Sequence, residues 1–373
     1  MNDTLNKTTF KKRFFLLPLI VIITLFSLTA CGDSTQSSVS KEMRTITDGA
    51  GREVEIPVDC DIIACVDAFA GEVMVMTGGG EKMCCCPGGV KSDLLLQEIY
   101  PDLVNVDVVQ SGGDINAEAL LALNPDVILF KYGLYSVPEQ VAKIEKLGIP
   151  YLVTKYTSME EQIDMIRMIG DVAGGTVKDK AEEIALYYED TIKLVEAKKT
   201  LLNDEDIVSV YHAVNSVNRT DGPSSLGTSW INAVGCRNVS VGEDLKMDGT
   251  FYLAGSEQVF VWDPDFVICN DFASAEFFKT SDMFAGLRAV DEGNVYNIPV
   301  GATRWGQEGS TETFFGMLWL GKTAYPDLYA DIDLKGFVFD FYENILGITL
   351  DDETYDKMIE GKGLRAASNN GGK

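Results

Sequence analysis

Arg304 and Trp305 are adjacent in the segment that follows a predicted strand at 295–299. A guanidinium group next to an indole can hold an anionic, flat or aromatic ligand by charge and by stacking of planar groups. The alternative is an indole that packs beneath a loop while the arginine lies in solvent. We rank this pair first among the residues expected to contact a small ligand.

His212 is the single histidine of the chain and follows a predicted strand at 207–211. An imidazole can be an axial ligand of haem iron, but a lone histidine after a strand is more often a hydrogen-bonded loop residue. Because there is no second histidine, multi-histidine zinc and di-iron sites are improbable. A Ser-His-Asp site would need this one residue as its base.

Other polar and aromatic side chains follow predicted buried strands in the same way. In open α/β sheets, ligands bind beyond the carboxyl ends of the strands. This rule adds six candidates for ligand binding: Asp67, Phe69, Tyr132, Tyr135, Asn215 and Arg219. The tyrosines could ligate iron or stack on a ligand, and Arg219 could meet a carboxylate-bearing ligand or lie in a turn. We predict no catalytic residue, no resident cofactor and no metal centre.

The eight cysteines are too sparse in 373 residues for a disulfide-stapled mini-domain. The run Cys84-Cys85-Cys86 does not predict a closed zinc site, because adjacent cysteines cannot all face one metal ion in tetrahedral geometry. Four further cysteines lie in or beside apolar segments and are expected to be buried thiols or to include one disulfide: Cys60, Cys65, Cys236 and Cys269.

The elements that position these residues alternate between helix and strand. A helix that opens at Glu118 ends before Pro125, and the apolar run 127–130 then predicts a strand buried on both faces. The same unit returns later, where Glu257 precedes Pro264 by the same distance. The alternation predicts an α/β fold class, and the repeat predicts two similar lobes.

Between the two copies, residues 177–199 contain almost only good helix formers, which predicts a rod of about 35 Å. We expect it to connect the lobes, although an ordinary core helix fits its periodicity equally well. Residues 45–57 predict a β-hairpin, and the Gly- and Cys-rich residues 77–92 predict a loop. The predicted organisation is an N-terminal lobe at 44–175, a connecting helix at 176–200 and a C-terminal lobe at 201–365.

The first residues of the chain predict export and anchoring. Basic residues precede the apolar stretch 14–28, and Leu-Thr-Ala precedes Cys31. This pattern is typical of a signal peptide, here 1–30. Cys31 resembles the lipidated cysteine of bacterial lipoproteins, in which two or more acyl chains give stable membrane attachment. Residues 31–43 would then be a flexible tether. An uncleaved anchor helix is the alternative, but a membrane span needs about 20 apolar residues.

Composition narrows the class of protein. The chain is 46% hydrophobic and 24% charged, and its formal net charge is −26. The apolar fraction excludes a disordered chain. A surface this acidic repels phosphate backbones, which argues against a nucleic-acid partner. Since only one apolar stretch approaches spanning length, a polytopic membrane protein is excluded as well.

Several short motifs occur in an order and spacing that resemble one protein family. They are Thr47-Asp48 with Gly51-Arg52 and Ile56-Pro57, the two Glu…Pro-Asp units, Leu147-Gly148-Ile149-Pro150, and Leu318-Trp319-Leu320 before Tyr325-Pro326-Asp327. Over residues 44–350 the sequence resembles the solute-binding lipoproteins of ATP-driven (ABC) importers for ferric siderophores, haem and cobalamin.

The resemblance implies two Rossmann-like lobes, each a mostly parallel sheet with flanking helices, joined by one long helix, with the ligand in the cleft between them. In this family a glutamate on each lobe docks onto arginines of the membrane permease, and Glu118 and Glu257 match those positions. Both could also be carboxylates favoured at helix starts by the macrodipole, and the two roles are compatible. The implied partners are an ABC permease, a small metal chelate and the membrane; a monomer is the default.

The predicted function is therefore non-catalytic: the protein binds an iron chelate of the siderophore type and delivers it to the permease. Haem and cobalamin stay open as ligands. A second hypothesis is a chelatase-like or nitrogenase-like enzyme on the same scaffold, against which stand the export signal, the lone histidine and the lack of a P-loop pattern. A third is a surface adhesin or sensor that has lost transport.

Overall fold

The computed structural model describes residues 41–111, 113–248 and 251–362. The predicted signal peptide at 1–30, the lipidated Cys31 and most of the tether lie outside these residues. The end of the tether already belongs to the fold, because Lys41 forms an ion pair with Asp126 and the first strand begins at Met43. None of the helices in the described ranges is long and apolar enough to cross a membrane.

Within the described residues, the N-terminal lobe contains eight strands and seven helices, followed by the long helix α8. They are β1 (Met43–Thr47), β2 (Glu53–Pro57), β3 (Ile63–Cys65), α1 (Ala68–Met76), β4 (Met83–Cys85), α2 (Gly88–Lys91), α3 (Leu94–Ile99), β5 (Gln110–Ser111), β6 (Asp114–Ile115), α4 (Ala117–Ala122), β7 (Val127–Lys131), α5 (Tyr132–Tyr135), α6 (Pro138–Glu145), β8 (Tyr151–Thr154), α7 (Met159–Ala173) and α8 (Gly175–Lys199). Short 3-10 turns at Gly80–Lys82 and Pro101–Asn105 complete this part of the chain.

Strands β1 and β2 form the predicted antiparallel hairpin. Its turn is organised by Asp48, whose carboxylate accepts hydrogen bonds from the backbone N–H groups of Ala50 and Arg52 at 3.0 Å each. The Arg52 Nε donates to the same carboxylate at 2.9 Å. The other Asp48 oxygen also accepts from the Val153 N–H in β8. The Asp-Gly-Ala-Gly-Arg motif thus closes the turn and attaches the hairpin to the lobe.

The N-lobe sheet has the order β4-β3-β7-β8, and all its neighbours are parallel. The residues 127–130 of β7 are completely buried, as expected for a continuous apolar strand covered on both faces. The prediction of a loop over 77–92 is wrong in part. Met83–Cys85 form the edge strand β4 because this short apolar run pairs with β3 in spite of the surrounding glycines.

The cysteines within the described residues are all free thiols. The four that were expected to be buried or to include a disulfide are buried thiols: Cys60, Cys65, Cys236 and Cys269. In the cysteine run, Cys84 is half-buried, and a hydrogen bond with the Cys85 side chain lowers the pKa of its thiol. Burial raises the pKa of Cys86 to about 11.

The long helix α8 has 25 residues and is therefore about 37 Å long. It starts and ends one residue before the predicted connecting helix at 176–200. It packs against α7, and the two helices approach most closely at Gly170, where a Cβ atom would lie 2.4 Å from the Ala181 Cβ. The turn between the helices uses Gly174 and Gly175, both with positive φ, a conformation that favours glycine.

In the part of the C-terminal lobe that the structure describes, there are seven strands and seven helices. They are β9 (Ser209–Ala213), β10 (Arg219–Thr220), α9 (Leu226–Val234), β11 (Arg237–Asn238), β12 (Lys246–Asp248), β13 (Phe251–Leu253), α10 (Ser256–Trp262), β14 (Phe266–Cys269), α11 (Phe272–Thr280), α12 (Arg288–Asp291), β15 (Val295–Asn297), α13 (Thr313–Ala324), α14 (Leu334–Asn344) and α15 (Asp352–Ile359). Short 3-10 turns lie at Asp204–Asp206 and Asp282–Phe284.

The main C-lobe sheet has the order β11-β9-β14-β15 and is also parallel throughout. A second, small antiparallel sheet has the order β10-β13-β12, and its strands lie between β9 and β14 in the sequence. Two parallel four-stranded sheets with flanking helices confirm the predicted α/β class and the two lobes.

The repeated Pro-Asp unit has the same structural role in both lobes. In the first copy, the Asp126 carboxylate accepts hydrogen bonds from the N–H groups of Asp61 and Ile62, directly before β3. In the second copy, the Asp265 carboxylate accepts from the N–H and the hydroxyl of Ser209, at the start of β9. Each aspartate therefore ties the entry of β7 or β14 to the neighbouring strand.

Helix α13 is buried along most of its length, from Thr313 to Gly321, as expected for a helix that is apolar on all sides. Its aromatic rings contact those of α8 and α14: the Phe314 centroid lies 4.8 Å from that of Tyr188 and 5.1 Å from that of Phe341. The core of the C-terminal lobe is thus continuous with the long helix.

Candidate ligand-binding site

A cavity of about 370 Å³ lies between the two lobes. The N-lobe wall follows the carboxyl ends of β3, β7 and β8, and the opposite wall comes from β9, the start of α9, the β12–β13 hairpin and the loop at 306–308. The side chains that line it include Asp67, Lys131, Tyr132, Ser136, Thr154, Lys155, Tyr156, Thr157, His212, Asp221, Ser224, Ser225, Met247, Phe251, Tyr252, Gln307 and Glu308. This position agrees with the rule for ligands of open parallel sheets.

Asp67 and Lys131 form the charged part of the N-lobe wall. Asp67 is buried and accepts a hydrogen bond from the Thr154 hydroxyl. Burial raises the pKa of the Asp67 carboxyl, while the Lys131 ammonium and the bond from Thr154 act in the opposite direction. The half-buried Lys131 thus balances a carboxyl group that is costly to ionise in this environment.

Two tyrosines and a second lysine complete this wall. The Lys155 ammonium lies 4.9 Å from the centroid of the Tyr132 ring, a cation–π contact that holds both side chains at the cavity. Tyr156 packs against the buried Phe69, with ring centroids 4.8 Å apart. Burial, together with the charge of Asp67, raises the pKa of Tyr156 well above its ordinary value, so its hydroxyl stays protonated and can donate to a ligand.

His212 and Asp221 form a hydrogen-bonded pair on the C-lobe wall. The His212 Nδ1 lies 2.5 Å from an Asp221 carboxylate oxygen, and the imidazole is 1% exposed. The His212 Nε2 is buried and has no hydrogen-bond partner among the described residues. A carboxylate that fixes the orientation of an imidazole in this way leaves the second ring nitrogen free for a ligand or a metal ion.

The start of α9 positions Asp221 and presents polar groups to the cavity. A Cβ atom at Gly227 would lie 2.0 Å from the Asp221 carboxylate, so the absence of a side chain at Gly227 makes room for this carboxylate. Ser225 caps the helix by accepting a hydrogen bond from the Thr228 N–H. The N-terminal end of α9 carries the positive end of its helix dipole toward the cavity.

The loop at 306–308 forms the last part of the wall. Its backbone is held by the Trp230 indole, which donates to the Gly306 carbonyl at 2.7 Å. Glu308 is exposed within the cavity, but desolvation by the surrounding protein raises the pKa of its carboxyl, to which Asp67 and Asp221 add; the Lys131 charge opposes them. Three carboxyl groups and two lysines therefore share this small volume.

Three of the nine predicted ligand-binding residues line the cavity: Asp67, Tyr132 and His212. The other six do not line it in the described structure. Phe69 lies beneath Tyr156, and the Tyr135 ring contacts Arg52 on the hairpin side. The Asn215 N–H donates to the Asn270 side chain, and the Arg219 guanidinium lies 5.5 Å from the Phe251 ring centroid.

The pair Arg304 and Trp305, ranked first from the sequence, lies outside the cavity lining. The Trp305 indole is completely buried, with its ring centroid 5.0 Å from that of Phe315 in α13. Arg304 donates to the Gln307 side chain at 2.8 Å. The indole therefore packs beneath the loop, and the loop instead offers Gln307 and Glu308 to the cavity.

Sequence reasoning missed several lining residues that the strand-end rule itself could have found. Lys155 and Tyr156 directly follow β8, a strand that was predicted but not searched for ligand contacts. Asp221 follows β10 in an Asp-Gly turn, where a turn residue was the obvious reading. Glu308 has no local signal, because only the tertiary position of its loop brings it to the cavity.

Glu118 and Glu257 occupy equivalent positions in the first turns of α4 and α10. Both side chains are exposed. Neither forms an ion pair with another residue in the part of the chain that the structure describes. Both carboxylates are thus available to a partner, and both also lie where a helix dipole favours negative charge.

Comparison with known proteins agrees with this architecture. The chain is 25% identical over 338 residues to the molybdate-binding protein MolA of Haemophilus influenzae, covering 85% of this chain and 94% of MolA. The solved structure of MolA bound to molybdate superposes with a TM-score of 0.72 at 20% identity, over 83% of this chain and 99% of that one. A periplasmic solute binding protein from Veillonella parvula superposes with a TM-score of 0.70 at 23% identity, over 85% and 97%.

The profile of the family described as "Periplasmic binding protein" matches residues 63–300. This range runs from β3 to the end of the C-lobe sheet and includes both parallel sheets and the residues that line most of the cavity. Together with the two lobes and the cavity between them, the match shows that the chain belongs to the periplasmic binding protein family, the solute-binding components of ABC importers.

Proposed function

We propose that the protein binds a compact anionic iron chelate of the siderophore type in the cavity between its lobes and delivers it to an ABC permease. In this proposal Cys31 carries the lipid that holds the monomeric protein at the extracytoplasmic face of the membrane. Glu118 and Glu257 contact arginines of the permease through charge-assisted hydrogen bonds. The protein acts by binding and release and performs no reaction on its ligand.

The observation that carries the proposal is the unpartnered Nε2 of His212, a residue that lines the cavity. A buried polar atom without a partner is costly, so such an atom in a binding cavity indicates a ligand group that completes it. Asp221 holds Nδ1 and orients the ring, an arrangement common behind metal-bound histidines. A ferric chelate with an open coordination position would meet Nε2 with its iron.

The charges around the cavity support an anionic ligand. Lys131, Lys155 and the start of α9 supply positive potential. The carboxyl groups of Asp67, Asp221 and Glu308 oppose this potential; burial raises the pKa of Asp67 and of Glu308, and Asp221 is hydrogen-bonded to His212. These lysines take the place that the sequence had given to Arg219 and Arg304.

The cavity volume supports a compact ligand. At about 370 Å³, it lies near the lower end of the range of about 300–1,000 Å³ that is usual for small-molecule sites. Haem and cobalamin are large macrocycles, so this volume favours a smaller chelate over either of them.

A tetrahedral oxyanion such as molybdate is the second candidate, because the relative MolA binds molybdate and shares most of the length of this chain. The same lysines and the hydroxyl groups of Ser224 and Ser225 would suit its oxygen atoms. In that case Nε2 of His212 would face a molybdate oxygen and would not contact the metal.

Optical and calorimetric titration separates the two ligands. The purified protein is titrated with a ferric chelate that leaves two coordination positions open, with one that fills all six, and with sodium molybdate. We expect tight binding of the open chelate and a shift of its charge-transfer band, and we expect loss of that shift in His212→Asn. Ser216→Ala, on the exposed loop after β9, is the matched control.

Each other outcome has a defined meaning. Binding of molybdate without binding of either chelate would replace the iron proposal with the oxyanion. Equal binding of both chelates without a band shift would remove His212 from the metal. Binding of none of the three would contradict the proposed ligand class.

A further inference from the structure

Both helices that carry a candidate docking glutamate also expose two apolar side chains at the same positions. In α4, Leu121 and Ala122 follow Glu118 by three and four residues, and both are exposed. Residues three and four apart lie on the same face of a helix. This face of α4 therefore presents a carboxylate together with two apolar side chains.

The second helix repeats this arrangement with larger side chains. In α10, Phe260 and Val261 follow Glu257 by three and four residues, with 37% and 78% of their surfaces exposed. The Pro-Asp unit follows each helix at the same distance. The same exposed face thus occurs in both lobes. This repetition is stronger evidence for an interaction surface than a single exposed apolar residue would be.

In the C-terminal lobe, the apolar pair belongs to a wider patch. Phe260 and Phe277 both pack against the buried Phe284, with ring centroids 6.4 and 6.1 Å from it. Met283, next to Phe284, is 53% exposed. We call Phe260, Val261, Phe277 and Met283 the C-lobe patch. Contiguous exposed apolar surface bordered by charge is typical of an interaction site.

We propose that each glutamate and its apolar pair form one composite anchor for the permease, and that the C-lobe patch makes the C-terminal anchor the stronger of the two. This inference rests on the proposed function. The chemistry of the face requires a partner with an arginine or lysine beside apolar residues. Because the anchor occurs twice, the partner's extracytoplasmic face presents that combination twice, as a two-fold symmetric permease does.

The occupant is the permease and not a second copy of the chain, because both anchors carry an acidic group. Two such faces brought together would place glutamates against glutamates, and like charges disfavour the contact. A partner with basic and apolar side chains would pair with the exposed carboxylate and bury the exposed apolar surface.

The experiment measures binding of the processed full-length protein to its importer's permease in lipid nanodiscs. We compare Val261→Ser, the double variant Phe260→Ser/Val261→Ser, Leu121→Ser and the double variant Glu118→Ala/Glu257→Ala. Leu201→Ser, which is 68% exposed at the end of the connecting helix, is the control. Val261 is the most exposed residue of the patch, so its variant tests the patch even where loss of Phe260 disturbs the fold.

We expect binding to weaken about tenfold or more in the Phe260/Val261 double variant and less in Leu121→Ser, with the Leu201→Ser control unchanged. If the glutamate variant loses binding while all apolar variants keep it, the composite anchor is wrong and the proposed docking stands. If the glutamate variant also binds normally, or the wild type does not bind, both the composite anchor and the proposed docking through the glutamates are wrong. Sedimentation of the wild type as a dimer that the Val261→Ser change dissociates would assign the patch to a second copy instead.

Discussion

Glu312 is a completely buried carboxyl group at the start of α13. It accepts hydrogen bonds from the Tyr342 hydroxyl and from the backbone and hydroxyl of Thr303. Burial raises its pKa to about 7, and these bonds offset only part of that effect. The group therefore connects the loop before α13 to α14 and makes that connection sensitive to pH.

This raised pKa predicts a specific change of stability with pH. Between the ordinary pKa of 4.5 and about 7, the folded protein keeps a proton that the unfolded chain releases, so stability falls as pH rises through this window. Across the whole of this window, the proton on Glu312 accounts for a fall of about 3 kcal/mol in the free energy of unfolding. We expect Glu312→Gln, which keeps a neutral side chain of the same shape, to lose less stability between pH 5 and pH 8 than the wild type does.

Urea unfolding of both proteins at the two pH values measures this difference. Comparing the change in each protein removes the effect of the other ionisable groups, since they are shared. An identical loss of stability in both proteins would show that Glu312 is ionised throughout the folded state in this range.

For single residues, the sequence predicts which edge of each sheet borders the cavity better than it predicts which side chains line it. Asp67, Tyr132 and His212 line the cavity because the carboxyl ends of parallel strands meet at one edge of a sheet. Trp305 does not line the cavity because its indole packs on Phe315 of the following helix, and no local pattern shows whether a loop indole points outward or inward. Glu308 was missed for the same reason.

At the crossing of α7 and α8, a single residue allows the close approach of the two helices. Gly170 lies where a Cβ atom would be 2.4 Å from the Ala181 Cβ and 3.3 Å from the Lys178 Cα. Since α8 connects the two lobes, its packing on α7 fixes the long helix to the N-terminal lobe. The glycine is thus required by close approach, although its position within the helix lowers helix propensity.

We expect Gly170→Ala to lower the free energy of unfolding by about 1–3 kcal/mol, because the added methyl group forces the helices apart. Gly89→Ala is the control, since a Cβ atom there meets nothing within 4 Å. The urea midpoint of each variant measures the effect. A Gly170→Ala protein as stable as the control would show that the helix pair relaxes without cost.

Element types were predictable from periodicity along most of the chain. The hairpin, the strands β7 and β8, and α7 and α8 all follow from apolar spacing and from glycine or proline at their ends. The strand β4 was not predicted, because three apolar residues between glycines carry too little pattern. It becomes a strand only because the edge of β3 is available to pair with it.

At the scale of the whole molecule, the lobes are connected by more than the long helix. The carbonyl of Ser310, in the segment between the cavity loop and α13, accepts hydrogen bonds from the Gln162 amide of α7 at 2.8 Å and from the Tyr188 hydroxyl of α8. The Thr311 hydroxyl contacts the Met76 sulfur at the end of α1 at 3.1 Å. The segment that carries the cavity loop of the C-terminal lobe is therefore tied to the N-terminal lobe.

These connections predict limited closure when the ligand binds. We expect the radius of gyration from small-angle X-ray scattering to agree, within the error of the measurement, between the empty protein and the protein saturated with the tightest of the three titrated ligands. A hinge-type closure would need the bonds at Ser310 to break and α8 to bend. A resolved decrease of the radius on saturation would contradict this picture of a stiff pair of lobes.

In the proposed complex, the iron of a small chelate lies between the lobes and is coordinated by His212. Anomalous diffraction at the iron edge, from crystals soaked with the ferric chelate that leaves two positions open, tests it most directly. We expect one iron peak in the cavity, at coordination distance from the His212 Nε2 and near Lys131. An iron peak elsewhere on the molecule, or a cavity that contains no iron after soaking, would contradict it.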